Sequence, residues 1–166
     1  MSPDRRARRS QRIVTRAEPA RVRPQPCSDD VHEVVFYRRH PDDDPQARAP
    51  GREALNSYPT KVWATMRAVL AQVAAESAKR FAGGGYWEAM RGDMSGWFGV
   101  RVDGPRRHHY RLFCRLDYEA KNGPKPLLVV ISGLDKPFGT VLADADYAAV
   151  RRLGEEYLRR NPRSVM

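Results

Sequence analysis

The chain has 166 residues, 41% of them hydrophobic, which is the size of one ordinary domain with its own core and too short for a multi-domain assembly. No run approaches the roughly 18 apolar residues that cross a bilayer. The basic start lacks the apolar stretch of a secretory signal, and Cys27 and Cys114 are too few and too far apart for a disulfide framework or a four-ligand zinc site. A reducing, cytoplasmic setting is expected. The net charge of +10 favours polyanionic partners such as nucleic acid, although 25 of the 30 basic residues are Arg, a bias that genome composition alone can produce.

Residues 1–26 carry eight arginines against Asp4 and Glu18, together with four prolines and few large apolar residues. Such a segment buries too little surface to offset its ordering entropy. The expected organisation is a disordered Arg/Pro-rich arm over 1–30, a folded domain over 31–160 and a flexible C-terminus over 161–166. An arm of this kind adds salt-sensitive, sequence-blind phosphate contacts; a transit-like leader or a misassigned start codon explains the same composition. Residues 27–166 retain a net charge of only +4, so function must come from where individual cations sit.

Residues 32–37 (His-Glu-Val-Val-Phe-Tyr) read as a first strand, rich in β-branched and aromatic residues. Pro41 to Gly51 is a polar loop, and Arg52–Ser57 a short helix ended by Pro59. Thr60 is placed to cap a helix running to about Arg80, with Val62, Met66, Val69, Leu70, Val73 and Ala74 on one buried face. Lys79 and Arg80 suit its C-terminal dipole, and Gly83-Gly84-Gly85 ends it. The triple glycine lacks the Lys-Ser/Thr and the preceding strand of a phosphate loop.

Two strands follow, Trp97–Val102 and His109–Tyr118, joined by a turn at Asp103-Gly104-Pro105. Leu127–Ile131 is continuously apolar, a central strand covered on both faces. Ser132–Thr140 reads as a loop. Asp144 is placed to cap a final helix with Tyr147, Val150, Leu153, Tyr157 and Leu158 buried, ended by Pro162. The fold class is α+β: a small, mostly antiparallel sheet packed against two N-terminal helices and one C-terminal helix.

Apolar faces fix strand register, because a one-residue slip turns every side chain over. Pairing Val102 with Tyr110, Val100 with Leu112 and Phe98 with Cys114 places Arg101 opposite Arg111, Gly99 opposite Phe113 and Trp97 opposite Arg115. Facing like charges destabilise a strand pair by a few tenths to about 1 kcal/mol. Two arginines there need either a shared anion, which guanidinium groups grip bidentately, or neutralisation by Asp93, Asp117, Glu119 or Asp135. His109 shares the arginine face and is a candidate proton carrier, ahead of His108. Lys136 reaches the same rim. Trp97, Phe98 and Phe113 are candidates to stack on a base, with Phe98 assigned to the core. No metal-ligand cluster or nucleophile motif appears.

The runs Met90 to Val102 (Met-Arg-Gly-Asp-Met-Ser-Gly-Trp-Phe-Gly-Val-Arg-Val), Tyr110-Arg111-Leu112-Phe113 and Val129 to Pro137 (Val-Val-Ile-Ser-Gly-Leu-Asp-Lys-Pro) resemble the RelE/HigB superfamily of bacterial type II toxin–antitoxin toxins, in particular its phage-derived, HigB-like branch. The resemblance covers about 31–160 and implies a RelE-like fold. It also implies a cytoplasmic, metal-independent endoribonuclease, an mRNA interferase that acts without cofactor on ribosome-bound mRNA. A helix-turn-helix antitoxin encoded nearby is the implied partner, and no membrane is involved. Arg101, Arg111 and Lys136 match basic positions of that family and become the expected catalytic residues with His109; Arg106, Arg107, Arg115 and Trp97 are the expected RNA contacts. Gly99 departs from the pattern, where some toxins carry a further charge, and Tyr147 is a weak match to a tail tyrosine. A non-catalytic nucleic-acid- or protein-binding module, such as a ParE-type topoisomerase inhibitor or a domesticated toxin, is the competing expectation.

Overall fold

The structure, a computed structural model, describes residues 31–76 and 83–166. The Arg-rich arm, and Lys79 and Arg80 at the expected end of the long helix, lie outside the described residues. Six strands form one mixed sheet: β1 (Glu33–Phe36), β2 (Gly83–Gly84), β3 (Trp87–Ala89), β4 (Phe98–Gly104), β5 (His108–Asp117) and β6 (Leu127–Pro137). Their order is β1-β6-β5-β4-β3-β2; β1 runs parallel to β6 and every other pair is antiparallel. The helices are α1 (Pro50–Ser57), α2 (Thr60–Glu76) and α3 (Asp144–Leu158). The protein is therefore α+β, with a mostly antiparallel sheet.

Successive side chains of a strand point to opposite faces, so a strand between two helical layers must be apolar at neighbouring positions. β5 and β6 satisfy this. Leu112, Cys114, Leu128 and Val130 pack with Leu55, Val62, Met66 and Leu70 of α1 and α2. Phe113, Val129 and Ile131 pack with Trp97 and with Val150 and Tyr157 of α3. Leu127 through Ile131 are all buried, as the continuous apolar run predicts. Between Phe113 and Cys114 the partner on β6 jumps from Ser132 to Val130, a bulge that leaves Ile131 as the extra residue.

Several local expectations fail for identifiable reasons. Residues 132–137 continue β6 where a loop was expected; Gly133 is there because a Cβ would run into Ala54 and the Tyr58 hydroxyl, so it permits close approach of α1. Gly83 and Gly84 pair with β3 as a short strand. Helix α2 starts with Pro59 as its first acceptor (Trp63 N–H to Pro59 C=O, 2.9 Å), leaving Thr60 inside the helix. Ala143, not Asp144, precedes α3, and its N–H donates to the Asp146 carboxylate at 2.9 Å. The 3.6-residue pattern places the buried faces of α2 and α3, except that Leu158 at the end of α3, expected in the buried stripe, is exposed. Among the described residues no helix is long and apolar enough to cross a membrane.

The C-terminus, expected to be flexible, is tied in. Phe36 and Met166 exchange two backbone hydrogen bonds, and Arg38 N–H donates to Ser164 C=O. Arg163 is buried with its Nε 2.7 Å from Asp117 Oδ2, which also accepts from the Tyr157 hydroxyl at 2.7 Å. A second set of contacts joins Tyr37 and Arg39 to Glu156 of α3. Burial by itself would raise the Asp117 carboxyl, but hydrogen bonds from Arg163, Tyr157 and the Glu119 N–H outweigh it and hold the pKa below the ordinary value. Stability from this clamp is therefore present above about pH 4 and lost as pH falls through the lowered folded value. Asp117→Asn should cost about 3–5 kcal/mol in denaturant unfolding at neutral pH, since it strands a buried arginine, and should flatten the acid side of the stability profile.

Gly154 lies against Trp97, where a Cβ would overlap the indole ring. Helix propensity favours Ala over Gly by about 1 kcal/mol, while overpacking costs about 1–3 kcal/mol. Gly154→Ala is predicted to destabilise on balance; a higher unfolding midpoint would contradict this packing.

A candidate anion site at the open end of the sheet

Helix α3 covers one face of β5 only in part. Tyr147 in its first turn meets Arg111, and Tyr157 near its end meets Asp117. Beyond Arg111, α3 does not reach over that face of β4, β5 and β6. Two cross-strand rows are left there: Arg101, Arg111 and Leu134 in one, Asp103, His109 and Lys136 in the next. The β4–β5 register is the one the apolar faces predict, from Phe98 opposite Cys114 to Arg101 opposite Arg111.

The two arginines resolve their repulsion unequally. Arg101 Nη1 donates to Glu88 Oε1 at 2.8 Å, a half-exposed bridge to β3. Arg111 Nη1 donates to the Tyr147 hydroxyl at 3.1 Å, and its buried Nε has no partner. Among the described residues no carboxylate pairs with Arg111. The carboxylates expected to neutralise it are elsewhere: Asp117 is held by Arg163 and Asp135 by His108. Glu88 was missed because the three-residue β3 has no periodic signal.

Lys136 stands on β6 opposite His109, not in a loop, and its Nζ donates to Thr140 C=O at 2.6 Å. Partial burial, then the charges of Arg111 and Arg101, hold its pKa below the usual lysine value. The register puts the three cations in adjacent cross-strand rows of one face. His109 Nδ1 meets Asp103 Oδ1 at 2.5 Å, and its ring stacks on Phe138 with centroids 4.1 Å apart. Asp103 thus orients the imidazole and leaves Nε2 for solvent or ligand. His108 sits on the opposite face, bonded to Asp135 at 2.6 Å.

The turn falls two residues later than predicted. Asp103 and Gly104 still belong to β4, and Pro105–Arg107 make the connection. Arg106 and Arg107 both adopt left-handed backbone (φ 62° and 53°), which costs non-glycine residues of order 1–3 kcal/mol each. Arg107 lies over Phe138 at 6.0 Å. Arg107 therefore borders the cluster through the ring that His109 stacks on, and Arg106 stands beside it in the turn.

Two expected RNA contacts are not brought to it. Trp97 is 3% exposed, because left-handed Gly92 and Gly96 bound a tight turn that swings the indole under α3; a base cannot stack on it. Arg115 is half-buried with its guanidinium 5.1 Å over the Trp97 ring, on the part of β5 that α3 covers. Tyr147 moves the other way, from weak candidate to direct partner of Arg111. Its place on the buried stripe, one turn into the last helix, was the available signal.

Among the described residues no three His, Cys, Asp or Glu side chains gather closely enough to hold a metal ion. No protein-family model, no curated protein and no solved structure matches this chain. What defines the protein here is its class: a small α+β fold whose mixed sheet ends in a cationic, aromatic-flanked face. The electrostatic coupling is directly measurable. By NMR titration of its side chain, Lys136 should titrate below the ordinary lysine value, and Arg111→Gln should raise its pKa back toward that value.

Proposed function

We propose that this chain is a RelE/HigB-like toxin, a metal-independent endoribonuclease that cuts mRNA on the ribosome and is restrained by a helix-turn-helix antitoxin encoded beside it. The observation that carries the reading is the convergence of Arg101, Arg111 and Lys136 from three adjacent strands, with only Arg101 paired to a carboxylate. Uncompensated cations on one face are costly unless an anion shares them, and the oxygens of a phosphodiester suit a guanidinium fork.

The chemistry follows from placement. The ribose 2′-oxygen attacks the adjacent phosphorus and the bond to the 5′-oxygen breaks, giving a 2′,3′-cyclic phosphate and a 5′-hydroxyl. His109, oriented by Asp103, accepts the 2′-hydroxyl proton through Nε2. Arg111 and Arg101 stabilise the charge that grows on the non-bridging oxygens. Lys136, with its lowered pKa, is suited to give a proton to the departing 5′-oxygen. Arg106 and Arg107 at the rim hold flanking phosphates.

Removing one well-aimed donor typically lowers rate about 10²–10³-fold. Arg111→Ala should therefore abolish growth arrest and cleavage on translating ribosomes while the protein stays folded, as judged by its circular dichroism melt. A folded Arg111→Ala protein that cuts message normally would rule the mechanism out. The Arg101–Glu88 bridge favours a second reading, a non-catalytic nucleic-acid- or protein-binding module on the same scaffold, since of the three central cations it leaves only Arg111 and Lys136 without a carboxylate. Mapping RNA ends separates the two: discrete cuts support the nuclease, growth inhibition without cuts the binding module.

A further inference from the structure

A separate cleft opens beside the cation cluster, between the short 3₁₀ turn at Gly92–Met94 and the first two turns of α3. Its volume is about 330 Å³, and it is lined by Met90, Arg91, Asp93, Asp144, Tyr147 and Arg151. Tyr147 belongs to both places: its hydroxyl accepts from Arg111, and its ring, edge-on to Phe113, forms a wall of the cleft.

Four charges line this cleft, two of each sign, and they do not neutralise one another. Arg91, Asp93 and Asp144 form no ion pair with any described residue, and Arg151 touches only the Met94 sulfur at 3.8 Å. Elsewhere this fold pairs such groups readily, as Asp43 with Arg160 and Asp44 with Arg48 show. Opposite charges around an apolar floor suit a ligand with an anionic end, a flat ring and N–H donors. A ribonucleotide has all three, and the volume lies at the small end of ligand sites of about 300–1,000 Å³, room for one nucleotide and not two.

We propose that this cleft binds the nucleotide next to the scissile phosphate and selects a base carrying an exocyclic amine. The inference rests on the RNA-cleaving reading above and adds its base preference. Arg91 and Arg151 take the phosphate, the ring lies against Tyr147 and Met90, and Asp93 with Asp144 accept from the base amine, as carboxylates accept from the cytosine N4 amine. Uracil presents a carbonyl oxygen at that position, which a carboxylate repels.

The test uses the full chain and two mononucleotides, 5′-CMP and 5′-UMP, which differ in this amine-for-carbonyl exchange. In ¹H–¹⁵N NMR titrations CMP should shift resonances of 92–94 and 144–151 and bind roughly fivefold or more tightly than UMP, the discrimination one good polar base contact supplies. The double variant Asp93→Asn, Asp144→Asn should abolish the CMP preference, because CMP loses its acceptors while UMP, freed of carboxylate repulsion, binds at least as tightly as to the unaltered chain. Equal binding of the two nucleotides, shifts confined to other residues, or a CMP preference that survives in the double variant would each overturn the proposal. This readout does not depend on cleavage. CMP-selective binding in a protein that cuts no message keeps the cleft and removes the nuclease; cleavage with no shifts at the cleft does the reverse.

Discussion

The reach of α3 sets where chemistry is possible in this fold. Fifteen helical residues extend roughly 22 Å at 1.5 Å per residue. The eleven residues of β6 extend about 36 Å at 3.3 Å per residue. Contacts at Tyr147 and Tyr157 show the helix lying along β5 from Arg111 to Asp117, so α3 leaves one end of the sheet uncovered on that side. Under the helix, outward positions are Phe113, Val129 and Ile131; at its end stands Arg111, and past it the same face carries His109 and Lys136. A single strand thus changes from core to charged surface where its cover stops.

The fixed end of α3 makes that boundary dependable. At its C-terminal end Tyr157 and Glu156 are bonded to Asp117, Tyr37 and Arg39, and Gly154 seats against Trp97. Buried charge pairs of this kind add little net stability compared with apolar packing, but removing one partner is severe. They hold one arrangement of helix and sheet. Toward the other end, the polar ties among the described residues are Tyr147 to Arg111 and Arg151 to the Met94 sulfur, so the helix meets the cation cluster through its first turn. A cluster of cations that oppose one another is carried by a scaffold anchored elsewhere.

Charge compensation within the cluster is graded. Arg101 is bridged to Glu88, His109 is held by Asp103, and Arg111 has only a hydroxyl. The least compensated group is also the most central of the three cations, on the middle strand β5 between β4 and β6. An incoming anion would gain most at Arg111, with Arg101 and Lys136 flanking it. The adjoining cleft, reached across Tyr147, extends the same surface toward a second kind of recognition.

Much of this was legible in the sequence wherever a short period governs. The two-residue alternation in 98–116 gave the β4–β5 register pair by pair, the continuous run 127–131 gave a strand buried on both faces, and the 3.6-residue pattern gave α2 and α3. Trp97, Arg115, Lys136 and the C-terminus were misplaced because long-range contacts decide them: glycine turns that sink an indole, a helix that covers one arginine and spares another, a glycine that admits α1 and lets β6 continue, and a carboxylate on β5 that captures Arg163. The chain by itself fixed which residues share a strand face, since alternation is a local property of the backbone. Only the tertiary structure decided which part of that face is core and which is open, because cover depends on where a distant helix begins and ends.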